Sequence, residues 1–316
     1  MKTLNVSISP HIRSGRTTTK IMLDVIIAMS PAMLFGYIYF GWYALLISVL
    51  SVSSCVLTEF VYEKIMKLPV TIGDLSAVVT GLVLAMCLYS TAPWWIPVVG
   101  GVFAILVVKM LFGGIGQNFM NPALTARCFL ILSFSKIMTT YPGVTDSVSS
   151  ATPLAAAAKG QFVNYTELLF GNHSGSIGET SAIAILIGAA YLIIRRVISP
   201  RIPLCVVGST VAFVALFTLV KGETPITLNY LAVQAMGGGL LAGAVFMATD
   251  YTTSPVTGWG RIIYGIAVGL ITAVIRCFGS PEGISFAIIT ANLLTPIIEK
   301  LTYPKPLGTY GKKAEK

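Results

Sequence analysis

Long apolar stretches, interrupted by very few charges, limit what this chain can fold into more than any other feature. They run over residues 21–40, 42–62, 75–92, 94–112 and 122–138, give way to a polar interval, and resume over 182–198, 202–220, 228–249, 262–278 and 284–298. A hydrocarbon layer about 30 Å thick needs about 20 apolar residues per helical crossing. In lipid every backbone polar group must be paired inside its own segment, which makes such runs helices. Charged residues are 10% of the 316, against about 25% in soluble chains. The expected fold class is therefore all-α integral membrane, with about ten transmembrane helices in the lipid bilayer.

The net charge of +9 follows that topology and does not call for nucleic acid. With the N-terminus in the cytoplasm, Arg13, Arg16, Lys20, Lys64, Lys67, Lys109, Arg195, Arg196, Arg201, Arg261, Lys300, Lys305, Lys312 and Lys313 fall inside. Only Lys136, Lys159, Lys221 and Arg276 fall outside. Basic residues favour the cytoplasmic face, so both termini are expected there and the polar interval is extracytoplasmic. Residues 1–20 read as a polar cytoplasmic leader with no cleavable signal, and 301–316 as a basic cytoplasmic tail. Between them, 21–138 and 182–300 each hold five spans, with 139–181 as the loop. Five is odd, so the second set enters from the opposite side, giving two inverted five-helix repeats. Gly81-x-Val83 and Thr91-x-Pro93 match Gly243-x-Val245 and Thr253-x-Pro255 at one constant offset. The fifth and tenth spans are both short and carry Gly, Pro or Asn breakers, a pattern that marks a binding site near the midplane.

Within the polar interval lies Asp146-Ser147-Val148-Ser149-Ser150-Ala151-Thr152, followed by Pro153 and Leu154-Ala155-Ala156-Ala157-Ala158. Thr152 before Pro153 reads as a helix start, a hydroxyl N-cap with proline at the first helical position. The small residues before it leave the hydroxyl open, and a phosphate esterified there would meet the positive end of the helix. Arg127, inside the fifth span, is either half of an ion pair with an acid such as Asp24 or a contact to a flavin edge. Asp74 reads as a helix-capping acid. Asn118 and Asn121 in the glycine-rich break, with Thr249 and Asp250 after the eighth span and Arg127, are candidates for a second flavin or ion site. The five cysteines are widely separated without a Cys-x-x-Cys, so this chain alone is not expected to hold an iron–sulfur cluster. His11 and His173 have no metal-ligand spacing.

The pattern Asp146-x-x-Ser149-x-Ala151-Thr152 resembles the acceptor motif of bacterial flavinyltransferases, with Ser150 where that motif usually has glycine. Taken with Gly113-Gly114-Ile115-Gly116-Gln117-Asn118-x-x-Asn121-Pro122-Ala123 and Met247-Ala248-Thr249-Asp250-x-x-Thr253-Ser254-Pro255, the chain resembles the RnfD family, the D-type membrane component of Rnf complexes. It resembles less closely the NqrB component of the sodium-pumping NADH:quinone reductase, which has a longer N-terminal extension. The resemblance implies a urea-transporter-like fold and FMN joined through its phosphate to Thr152, with Asp146, Ser149, Ser150 and Ala151 as the attachment motif. It also implies assembly with the other membrane and peripheral Rnf subunits, and the related NqrB component holds a non-covalent riboflavin nearer the cytoplasm, which leaves a second flavin here as an open expectation. It further implies that a flavinyltransferase acts during maturation, and that in the assembled complex electrons pass between reduced ferredoxin and NAD+ coupled to Na+ or H+ movement. The rival reading is a flavin-free channel or transporter, since Asn121-Pro122-Ala123 is similar to a water-channel signature. That signature should occur twice, and the second half has Leu294-Thr295-Pro296 instead.

Overall fold

The computed structural model describes residues 15–139, 152–222, 226–279 and 283–304. Each of the ten expected segments is helical over at least part of its length. The first half comprises α1 (Thr18–Phe40), α2 (Trp42–Ile65), α3 (Ser76–Met86), α4 (Trp95–Phe112) and α5 (Pro122–Ser133). The connecting region carries two short helices, α6 (Pro153–Ala158) and α7 (Tyr165–Phe170). The second half comprises α8 (Ala182–Ile194), α9 (Arg201–Lys221), α10 (Leu228–Met236), α11 (Leu240–Met247), α12 (Gly258–Phe278) and α13 (Ile284–Thr302). Among the described residues six helices are long and apolar enough to cross a membrane, or seven if α10 and α11, bent by 50° at their break, count as one span. The chain is thus an all-helical integral membrane protein.

Three expected spans are shorter than their apolar runs. α3 stops at Met86 because its terminal carbonyls are taken from outside the helix. The Gly178 amide donates to Met86 O at 3.1 Å and the Ile177 amide to Leu88 O at 2.9 Å. Those bonds satisfy acceptors that a helix end leaves open. Ile177 reaches this position only because α1 offers Gly36, where an added Cβ would lie 2.0 Å from Ile177 O. α5 ends at Ser133 and a separate turn follows at Ser135–Met138. α8 ends at Ile194, where Arg195 and Arg196 begin the turn. The tenth span is longer than expected: α13 runs 19 residues with Pro296 inside it.

Two spans widen into π-helical turns, over Phe103–Lys109 and Gly243–Met247. The amide of Met110 reaches Ile105 O and that of Ala248 reaches Gly243 O, both five residues back. Such turns recur at functional sites because they push side chains out of the regular helical row. Basic groups collect at one end of the bundle. Arg16 donates to Arg195 O at 2.8 Å and to Arg196 O at 3.1 Å, and Arg196 and Arg261 line one shallow cavity. Thr152 lies toward the other end, where Lys221 donates to Cys277 O at 2.6 Å in the last turn of α12.

Candidate functional site

Thr152 caps α6 as its sequence context requires. Its backbone is extended (φ −64°, ψ 152°), Pro153 occupies the first turn, and its Oγ accepts from the Ala155 amide at 3.3 Å. The side chain is less open than its small neighbours suggest, because Thr152 is only 6% exposed. Asp146, Ser149, Ser150 and Ala151 lie outside the described residues. α6 is held by a small apolar cluster of its own, with Leu154 and Ala157 packed against Val163, Leu168 and Val233.

Leu154 also seats the helix on the break in the bent span. Gly237, Gly238 and Gly239 separate α10 from α11, with φ of +63° at Gly238 and +67° at Gly239. A Cβ on Gly238 would stand 2.2 Å from Leu154 Cδ1, so only glycine admits the contact. Arg276 closes the end of α10. It donates to Gln234 O at 2.6 Å, Gln234 Oε1 at 3.0 Å and Gly237 O at 3.0 Å. A cation there suits the negative end of a helix dipole. Beside α6 a cavity of about 340 Å³ is lined by Ala155, Lys159, Tyr230, Gln234 and Arg276.

Four of the five residues proposed for a second site surround one cavity between the halves. Asn118, Asn121, Thr249 and Asp250 all line it, together with Lys109 and an apolar wall that includes Val79 and Val245. The Asn118 amide donates to Thr252 Oγ1 and to Met120 O, both at 3.0 Å. Asn121 is the N-cap of α5, accepting from the Ala123 and Leu124 amides. Its amide donates to Met247 O at 3.4 Å, tying the glycine-rich loop to the second π turn. Thr249 instead donates to Val245 O.

Asp250 lies in the turn after the span and accepts from the hydroxyls of Thr252 at 3.1 Å and Thr253 at 3.2 Å. Burial pushes its carboxyl above the ordinary carboxylate range, against the pull of these hydrogen bonds. The folded chain therefore holds the proton more tightly than the unfolded chain. That stabilising contribution is full below the ordinary carboxylate value and is lost as pH rises through the raised one. Asp250→Asn is expected to raise the thermal midpoint at about pH 7, with the difference vanishing near about pH 4. A difference that does not change with pH would rule this out.

Arg127 stands apart from the cavity and does not pair with Asp24. Its Nη1 meets Glu179 Oε1 at 3.2 Å and donates to Ser285 Oγ at 2.9 Å. Asp24 instead accepts from the Tyr191 hydroxyl at 2.9 Å and faces Arg195 at 3.3 Å. Asp74 lies one residue before Leu75, the N-cap of α3, and its Oδ1 accepts from the Ser76 amide at 2.7 Å and hydroxyl at 2.6 Å.

Sequence reasoning missed a buried polar cluster beside the cavity. Lys109 Nζ donates to Glu59 Oε2 at 2.8 Å, Glu59 Oε1 at 2.9 Å and Ser76 Oγ at 2.6 Å. Glu63 accepts from the Thr71 amide at 3.1 Å and also from its hydroxyl. Glu59 and Glu63 are each 1% exposed and Lys109 3%. The available signal was spacing: Glu59 and Glu63 are four apart, on one face of α2.

Residues 5–308 match the model of the NQR2, RnfD, RnfE family. The chain is 47% identical over 320 residues to the D component of the Na(+)-translocating ferredoxin:NAD(+) oxidoreductase complex of Acetobacterium woodii, covering 99% of this chain and 98% of the relative. It is 38% identical to the D component of the proton-translocating ferredoxin:NAD(+) oxidoreductase complex of Clostridium ljungdahlii, covering 96% of each. A third relative, the D component of the ion-translocating oxidoreductase complex of Actinobacillus succinogenes, is 33% identical over 96% of this chain and 97% of its own.

Proposed function

We propose, from the premise that this chain belongs to the NQR2, RnfD, RnfE family, that it is the D component of a ferredoxin:NAD+ oxidoreductase complex that moves Na+ or H+. Full-length similarity to proteins bearing that name supports the reading. The relatives' names divide between sodium and protons, so the ion follows from neither.

The second part of the proposal is FMN bonded through its phosphate to Thr152. The residues present fit that group. Thr152 Oγ sits at the start of α6, where it accepts the Ala155 amide, so an esterified phosphate would meet the positive end of that helix. Lys159 and Arg276 face one cavity beside α6, which favours a group carrying negative charge. A bound flavin supplies one- and two-electron chemistry, while the protein supplies position and electrostatics. Leu154, set in the Gly237–Gly238 notch, fixes α6 against the bundle. Arg276 keeps its charge at this face through Gln234 and Gly237. Because Thr152 is 6% exposed, a flavinyltransferase must reach it while residues around α6 are lifted from the bundle.

The cavity between the halves is the candidate seat for the non-covalent flavin. Its apolar wall suits a planar ring, and Asn118 and Asn121 offer amides to a polar edge. Coupling electron arrival to ion movement requires an ion site whose affinity differs between redox states.

The observation that carries the assignment is the hydroxyl N-cap of Thr152 in a chain matched to this family over its length. The experiment is purification of the native assembly through a tag on this chain, followed by peptide mapping. The expected result is co-purifying redox subunits and an FMN mass on the peptide containing Thr152. A bare Thr152 in an active assembly overturns the covalent-flavin reading, and a chain purifying alone from membranes overturns its place in a complex.

A further inference from the structure

Arg127 and Glu179 form a closed site that the flavin reading leaves unused. The Glu179 carboxylate has three kinds of wall. Arg127 Nη1 stands 3.2 Å from Oε1, the Ser176 hydroxyl donates to Oε2, and the bare backbone of Gly239 closes the third side. A Cβ on Gly239 would lie 2.5 Å from Glu179 Cδ and Oε2 and 2.6 Å from Oε1. The left-handed glycine at the start of α11 thus leaves space that the carboxylate fills. Ser285 of α13 accepts from the same Nη1 at 2.9 Å. Ser176, Ser285, Arg127 and Glu179 are all at least nine-tenths buried.

Glu179 belongs to neither half of the bundle. It ends the segment whose Ile177 and Gly178 amides bond to the end of α3. Arg127 comes from the first half, while Gly239 and Ser285 come from the second. The carboxylate therefore ties the connecting segment to the first half through Arg127 and lies against the second at Gly239, with Ser285 reached through the shared guanidinium. A guanidinium, a hydroxyl and a bare backbone face are a carboxylate-recognition set, since guanidinium and hydroxyl donors both strengthen toward an ionised acceptor.

We propose that the interface of the two halves contains a binding site for a small monocarboxylate, which the chain fills with its own Glu179 to pin the connecting segment closed. The site is specific for an anion of carboxylate size. Removing the tethered group leaves a place that free formate takes, whereas a mere packing contact leaves a cavity indifferent to charge.

The test uses the full chain purified in detergent. Glu179→Ala is titrated with sodium formate at constant ionic strength made up with gluconate, and formamide serves as the uncharged counterpart. Two signals are followed: the thermal midpoint, and amide hydrogen exchange at Ile177 and Gly178. The variant is expected to lose protection at those two amides. Formate should restore it saturably and raise the midpoint by roughly 2–4 °C. Acetate should act more weakly, and formamide should do nothing. The wild-type chain should respond to none of them, nor should Arg127→Met/Glu179→Ala. If Glu179→Ala cannot be recovered folded, purification in formate should recover it, and Glu179→Ser provides the same titration with less loss of packing. A flat response in both variants, an equal response to formamide, or failure to recover either variant in formate overturns the proposal.

Discussion

Thr152→Val should yield a chain that folds and inserts yet shows no flavin fluorescence in a denaturing gel when co-expressed with its flavinyltransferase. Valine keeps the shape of threonine and removes the oxygen. The structural loss is one hydrogen bond, from the Ala155 amide to Thr152 Oγ, and losing an N-cap costs about 1 kcal/mol. The apolar contacts of Leu154 and Ala157 are untouched, so α6 stays on the Gly237–Gly238 notch. The chemical loss is complete, because no neighbouring hydroxyl among the described residues caps the same helix. Thr152→Ser separates the two effects: it restores both cap and acceptor, and fluorescence should return. Electron transfer through the assembly should fall below detection in the valine variant and recover in the serine variant. A channel or a passive scaffold predicts a dark gel for wild type as well. Fluorescence persisting on Thr152→Val would move the attachment elsewhere and remove the role given to α6.

The all-helical, apolar character was legible in the sequence because apolar length follows from the bilayer itself, and of the ten expected spans six, or seven with the bent pair, are long and apolar enough to cross among the described residues. The cap at Thr152 was also legible, since it depends on a residue and its next three neighbours. Longer-range pairings were not. Arg127 is conspicuous as a charge inside an apolar run, but its partner lies 52 residues away in a loop, and no local pattern selects Glu179 over Asp24. Likewise Glu59 and Glu63 read as the polar end of a span. Their burial depends on Lys109, 50 residues distant, and on a π turn that hydrophobic periodicity does not reveal. The early stop of α3 was hidden for the same reason: its sequence remains apolar to Leu88, and what ends it is Gly178 arriving from the connecting segment. Asn118, Asn121, Thr249 and Asp250 line one cavity because two breaks in apolar spans, one in each half, converge there.

Lys109→Met is expected to be among the most destabilising single substitutions in the bundle, at about 3–5 kcal/mol. The ammonium is 3% exposed and spends its three donors on both oxygens of Glu59 and on Ser76 Oγ. Methionine fills the volume, so the cost is not a cavity. It arises because Glu59 remains ionised or must take up a proton in a buried place, with Glu63 joined to it through Thr71. Glu59→Met strands the ammonium instead, and the cost should be of the same order. Replacing both partners removes both desolvation penalties, and apolar substitutes for buried pairs are often neutral or stabilising by about 1–4 kcal/mol. Glu59→Met/Lys109→Met should therefore unfold within about 2 kcal/mol of wild type, giving a large coupling energy in a double-mutant cycle. The measurement is thermal or denaturant unfolding of the four chains in one detergent. Additive losses would mean that the pair is not a unit. Lys109 also faces the cavity that holds Asp250, so the double variant removes one positive and one negative charge and leaves the local sum unchanged. Lys109→Met alone makes the region more negative, and a cation bound near Asp250 should then bind more tightly in the single variant than in the double.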